Sequence, residues 1–131
     1  MHEQGLRVLI VDDEQELVSA IGERLGLRGF RTKGVTSGEA ALDYLAEHSC
    51  DVVLLDVKMP DLGGLEVLKR IRQLHPDTQV LMLTGHGSRR DAEEGMRLGA
   101  YDYLVKPVSI GVLCRLLQDA GSHAKKDHTE T

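Results

Sequence analysis

Four places in this 131-residue chain set chemically capable side chains directly behind short apolar runs. Asp12, Asp13 and Glu14 follow RVLIV, Asp56 follows VVLL, Thr84 and Gly85 follow QVLML, and Lys106-Pro107 follows YDYLV. Carboxylates are hard oxygen donors suited to a cation such as Mg2+. A lysine ammonium neutralises an anion, and a threonine hydroxyl can donate to a phosphate-type oxygen. Taken singly, each has an ordinary explanation: Asp12 or Asp13 could cap a helix, and Asp56 could be a turn residue ahead of Pro60. Together the acids are costly without a cation, because two carboxylates at 4 Å repel by about 4 kcal/mol at an effective dielectric near 20. A magnesium ion held by oxygen ligands would offset that repulsion and leave open positions for phosphate oxygens.

The hydrophobic pattern supplies elements that would gather these residues. Residues 7–11 form a short β-branched run suited to a buried strand. Residues 14–28 then place Leu17, Ile21 and Leu25 on one helix face, and Gly29 stops the helix. Residues 31–35 alternate weakly, as a strand near a sheet edge does. Ser37 can cap a helix to about Glu47 that buries Ala41, Leu42 and Leu45. Residues 52–55 are apolar on both faces, as a central parallel strand should be. After a loop over 56–63, Leu65, Leu68 and Ile71 mark a helix ending near His75-Pro76. Residues 79–83 are another central strand, followed by a loop over 84–87. A helix over about 88–98 has only a thin stripe of Ala92, Met96 and Leu98. Residues 101–105 are the last strand, and residues 110–120 the last helix, burying Leu113, Leu116 and Leu117. Residues 121–131 are polar and aperiodic, and are expected to be a frayed tail or linker stump.

Strands alternating with helices imply an α/β fold: a doubly wound, five-stranded parallel sheet with helices on both faces. In such sheets ligands bind beyond the carboxyl ends of the strands, where all four chemical clusters lie.

Composition narrows the function. A formal charge of -5 lacks the basic footprint of a nucleic-acid binder. With one Phe, three Tyr and no Trp, there is no aromatic platform for single-stranded nucleic acid or a flavin, and core volume must come from aliphatic residues. Cys50 and Cys114 form no CxxC and are expected to be buried, small apolar residues. The apolar runs fall far short of a membrane span, and the opening residues have no signal-peptide pattern, so the chain reads as soluble and cytoplasmic.

The stretches VLIVDDE, VVLLDVKMPDLGGLEVL, VLMLTGHG and GAYDYLVKP, in this order and spacing, resemble the receiver domain of two-component response regulators over residues 6–120. That resemblance implies a flavodoxin-like (βα)5 receiver fold with strand order 2-1-3-4-5. It implies that Asp56 is the phosphoacceptor, that Asp13 is a direct Mg2+ ligand, and that Asp12 acts on the metal through water. The backbone carbonyl of Lys58 would be a further ligand, alongside Asp56. Thr84 matches the switch hydroxyl, Lys106 the lysine that pairs with a phosphoryl oxygen, and Tyr103 the switch aromatic, although a partly buried strand aromatic is the plainer reading. The Lys106-Pro107 bond would be cis. Lys58 and His86 occupy positions that tune phosphoryl lifetime in the family, and Lys58 is expected over the site mouth.

The same resemblance implies partners: a sensor histidine kinase or phosphotransfer protein as donor, and an output protein or effector domain meeting the helix 4–strand 5–helix 5 face, where a phosphorylation-dependent homodimer could also form. Arg89, Arg90, Arg97 and Arg115 decorate that region, as a solvated charged face also would. TGHG is common in receivers of transcriptional regulators, so the output could be transcriptional. The implied protein is a phosphoacceptor switch, catalysing its own phosphorylation and slow dephosphorylation, rather than a turnover enzyme.

Three other readings compete. A phosphatase similar to the haloacid dehalogenase superfamily wants a second acid two residues after its nucleophile, where this chain has Lys58. A P-loop enzyme needs GxxxxGK[ST], which is missing. An inactive receiver-like binding module usually lacks an acid or the lysine, whereas Asp12, Asp13, Asp56, Thr84 and Lys106 are all present.

Overall fold

A computed structural model describes residues 5–85 and 88–129, with side chains through residue 123. Five strands alternate with five helices: β1 (Arg7–Val11), α1 (Gln15–Leu27), β2 (Arg31–Val35), α2 (Gly38–Glu47), β3 (Val52–Asp56), α3 (Gly64–Leu74), β4 (Gln79–Thr84), α4 (Arg89–Arg97), β5 (Asp102–Val105) and α5 (Ile110–Thr129). All strand pairs are parallel, in the order β2-β1-β3-β4-β5. The expected fold class and strand order are both observed.

Alternation along the central strands sends side chains to two cores. Leu9, Val11, Val53, Leu55, Val80 and Met82 meet Ala41 and Leu45 of α2 and Val67, Leu68 and Ile71 of α3. Their neighbours Val8, Ile10, Val52, Leu54, Leu81 and Leu83 meet Ile21 and Leu25 of α1 and Leu113 and Leu117 of α5. Buried on both faces between their ends, β1, β3 and β4 read as nearly continuous apolar runs. The largest fully buried side chains are all aliphatic or Met, each contributing about 1.5–3 kcal/mol of burial.

Local signals set the helix ends. The Ser37 hydroxyl accepts from the Ala40 amide at 3.0 Å and starts α2, while Gly29, at φ 94°, takes the left-handed turn after α1. Edge strand β2 is mostly exposed, as its weak alternation suggests.

Three details depart from the sequence expectation. Met96 is not part of the α4 stripe but is 41% exposed; Gly95 faces inward, and a Cβ there would stand 2.0 Å from Met82 Sδ. On α5, Leu116 is only half-buried while Ala120 joins the core. The expected frayed stretch after Ala120 is instead helical backbone as far as Thr129. Burial had marked the end of the helix in the sequence, whereas backbone propensity can carry a helix beyond its last core contact.

Candidate functional site

Asp56 and Thr84 are the last residues of β3 and β4, one position further into the sheet than the apolar runs suggest. Val11 pairs with Leu55, so the residues that follow them, Asp12 and Asp56, emerge side by side at the carboxyl edge. Thr84 pairs with Val105, which puts Lys106 next to the same edge. Parallel register thus converts four distant sequence positions into one cluster.

Carboxylate oxygens of Asp12, Asp13 and Asp56 lie within 4.8 Å of one another. Asp12 is fully buried, Asp56 is buried and Asp13 is exposed. Asp12 Oδ1 accepts from the Glu14 amide at 2.9 Å. Its Oδ2 lies 2.9 Å from Lys106 Nζ as an ion pair but accepts no well-directed hydrogen bond. Lys106 Nζ also lies 3.4 Å from Glu14 Oε1 and 3.7 Å from Asp56 Oδ2. Asp56 Oδ1 accepts from the Lys58 amide at 3.1 Å.

These surroundings pull the ionisations in definite directions. Burial pushes the Asp56 carboxyl above its ordinary value, and Asp12 and Asp13 push the same way, outweighing the Lys58 amide and Lys106. Burial works against the Lys106 charge, but Asp12, Asp56 and Glu14 overcome it and hold the ammonium above its ordinary value. One ammonium therefore serves several acids, and a buried oxygen of Asp12 still lacks a directed donor. An all-oxygen donor set with surplus negative charge fits a hard divalent cation such as Mg2+.

Thr84 is buried, and its hydroxyl donates to the Leu104 carbonyl at 3.3 Å, across to β5 rather than towards Asp56. Tyr103, on the edge strand, is 43% exposed. The Lys106-Pro107 peptide is cis. Lys58 Nζ reaches sideways to Asp91 Oδ2 in the first turn of α4, at 4.0 Å. His86 lies outside the described residues. Cys50 is buried, and desolvation pushes its thiol up to about 11, while Cys114 is only half-buried; both are free.

Two acids went unremarked in the sequence. Asp91 pairs with Lys58, and Asp61 accepts from the amides that open α2. Neither stands at a strand end, and their partners are distant in sequence, in the β3–α3 loop for Asp91 and at the start of α2 for Asp61, so no local pattern marks them.

Comparison with known proteins agrees with this geometry. Residues 8–118 match the family model described as response regulator receiver domain. The chain is 48% identical over 101 residues to the transcriptional regulatory protein CpxR of Escherichia coli K12, covering 77% of this chain and 43% of that protein. It is 36% identical over 114 residues to the regulatory protein AtoC of the same organism, covering 87% of this chain and 25% of that one. The chain thus spans less than half the length of these curated relatives. Among solved structures, a response regulator receiver domain protein from Clostridium thermocellum superposes with a TM-score of 0.87 at 34% identity, covering 92% of this chain and 97% of that one. Family model, relatives and fold coincide, and the chain belongs to the response-regulator receiver domain family.

Proposed function

We propose that this chain is the phosphoryl-accepting switch of a two-component phosphorelay, with Asp56 as the acceptor. The observation that carries the proposal is the convergence of Asp12, Asp13, Asp56 and Lys106 on one strand-end cluster, with a buried Asp12 oxygen lacking a directed donor.

Asp13 and Asp56, with the Lys58 carbonyl, would hold Mg2+ directly, and Asp12 through water. Bound there, Mg2+ supplies charge neutralisation for the phosphoryl oxygens. The chain's own groups do the rest. Asp56 presents a carboxylate oxygen to phosphorus, the new O–P bond forms, and the donor's P–N bond breaks when that donor is a phosphohistidine. Lys106, already poised among the acids, neutralises a phosphoryl oxygen, and the Lys58 amide orients Asp56. Phosphoryl transfer needs positioning and charge stabilisation more than covalent assistance, and this cluster offers both. The self-catalysed gain and slow loss of one group make the domain a switch rather than a turnover enzyme.

The phosphoryl group adds about two negative charges and three acceptor oxygens. Thr84 can answer by exchanging the Leu104 carbonyl for a phosphoryl oxygen, drawing its loop inward and leaving room for Tyr103 to turn in. Lys58 and His86 would tune how long the group survives. The readout surface is the edge formed by α4, β5 and α5, where Met96, Tyr103, Val105 and Val112 are exposed. A histidine kinase or phosphotransfer protein is the donor, and an effector domain, an output protein or a phosphorylation-dependent second copy receives the signal, in the cytoplasm. Residues 6–120 are the switch itself, and residues 121–131 a polar tail or linker stump. Direct nucleic-acid binding by this acidic chain is not part of the reading, nor is membrane insertion; among the described residues no helix is long and apolar enough to cross a membrane.

Intact mass after incubation with acetyl phosphate tests the proposal. The wild type should gain one phosphoryl group with Mg2+ and none with EDTA, and Asp56→Asn should gain none. A wild type that stays unmodified, or an Asp56→Asn variant that labels equally well, overturns it.

A further inference from the structure

The loop between β3 and α3 carries the groups closest to Asp56, yet its outer part, from Pro60 to Leu62, lies at the surface. Its inner end is well fixed. The Val57 amide donates to the Leu83 carbonyl at 3.2 Å, the Gly64 amide to the Val57 carbonyl at 3.1 Å, and Val57 and Met59 are buried. The outer part has a separate anchor. Asp61 Oδ1 accepts from the Gly38 amide at 3.3 Å, and Oδ2 from the Glu39 amide at 3.2 Å.

These two amides open α2, whose own cap, Ser37, serves a different one, that of Ala40. The first turn of a helix leaves unpaired donors and partial positive charge, which a carboxylate satisfies. Ordinarily that carboxylate comes from the helix's own leading residues. Here it arrives from 22 and 23 residues along the chain. Gly38 permits the approach, since a Cβ there would stand 2.6 Å from Val67 Cγ2 and 3.4 Å from Leu62 Cβ.

We infer that Asp61 is a positioning residue for the acceptor site, clamping the β3–α3 loop to the start of α2 so that the Lys58 backbone is held against Asp56. The coupling runs through a short, stiff segment. Only Met59 and Pro60 separate Asp61 from Lys58, and Pro60 has a fixed φ, so little slack lies between the clamp and Lys58. Lys58 contributes the amide that orients Asp56 and, on the function proposed above, the carbonyl that ligates Mg2+. Partners that orient metal ligands typically alter affinity by about 10–100-fold, and an indirect clamp belongs at the lower end.

The test compares Asp61→Ala, Asp61→Asn and Ser37→Ala in two readouts: exchange of the Lys58 amide by NMR without metal, and Mg2+ affinity by NMR titration. Asp61→Ala should speed Lys58 exchange and weaken Mg2+ binding, each by about tenfold. Asp61→Asn, which keeps an acceptor oxygen, should recover part of both. Ser37→Ala removes a cap from the same helix but leaves the loop attached, so it should lower the melting temperature while both readouts stay at wild-type values. Unchanged Lys58 exchange in Asp61→Ala, or an equal change in Ser37→Ala, would reduce Asp61 to a helix cap and overturn the inference. A wild type that binds no Mg2+ would instead count against the function, while Lys58 exchange, read without metal, still decides the clamp.

Discussion

Asp56 is a buried carboxyl whose neighbours leave it under-neutralised. Its raised folded pKa means that the folded state binds its proton more tightly than the unfolded chain does. The ionised form therefore costs stability above the folded pKa, and that cost fades as pH falls towards the ordinary carboxylate range. Without metal, Asp56→Asn should be more stable than wild type by about 1–2 kcal/mol near neutral pH, because a buried charge beside Asp12 is removed while an acceptor for the Lys58 amide remains. Thermal melts in EDTA should show the gap narrowing as pH is lowered, and saturating Mg2+ should reverse the order of the two proteins; equal melting temperatures at every pH would refute this electrostatic account. Lys106 has the opposite sensitivity. Lys106→Ala leaves Asp12 fully buried with no counter-charge, and urea denaturation should report a loss of about 2–3 kcal/mol. Asp12, Asp13, Asp56, Thr84 and Lys106 were legible from sequence because each directly follows or ends an apolar strand, and a parallel sheet brings strand ends together. Asp61 and Asp91 were not, since the partners of Asp61 open α2 and the partner of Asp91 lies in the β3–α3 loop, neither of which sequence alone places beside them.

At the level of elements, the sheet and the extent of α4 were readable, whereas the buried face of α4 was read only in part. The central stretches of β1, β3 and β4 are buried on both faces and are apolar, with polar residues only at the strand ends. Helix α4 buries only Ala92 and Gly95, and a contact made by a glycine leaves no hydrophobic signal. Met96 looked like the core residue for that reason and is solvent-facing instead. The close contact of Gly95 with Met82 makes a sharp prediction. Gly95→Ala forces a methyl against a fully buried side chain and should cost about 1–3 kcal/mol. Adding Met82→Ala opens the space the methyl needs, so the double variant should be more stable than the two single losses added together. Strict additivity in denaturation midpoints would show that α4 does not rest on Met82. The cost of Gly95→Ala should also appear as faster amide exchange in α4 before it appears in β1 or β3.

For the whole molecule, the design is a rigid sheet with a charged edge and a lightly held flank. The two cores lock α1, α2, α3 and α5 to β1, β3 and β4, while α4 and the four-residue edge strand β5 carry few buried side chains. Native-state hydrogen exchange should therefore be slowest in β1, β3 and β4 and fastest in α4 and β5, the flank cheapest to rearrange. A cation that binds only the folded cluster should raise the melting temperature progressively with its concentration, and EDTA should abolish the gain. All of this converges on whether Asp56 carries the phosphoryl group, and borohydride trapping reads that at a single position. Acyl phosphate on an aspartate is reduced to homoserine, and the tryptic peptide from Gly34 to Lys58 contains Asp43, Asp51 and Asp56, which fragmentation can separate. After treatment with acetyl phosphate and Mg2+, homoserine should appear at position 56 alone and vanish with EDTA. Homoserine at another aspartate, or none in protein that has gained phosphate, would contradict the account.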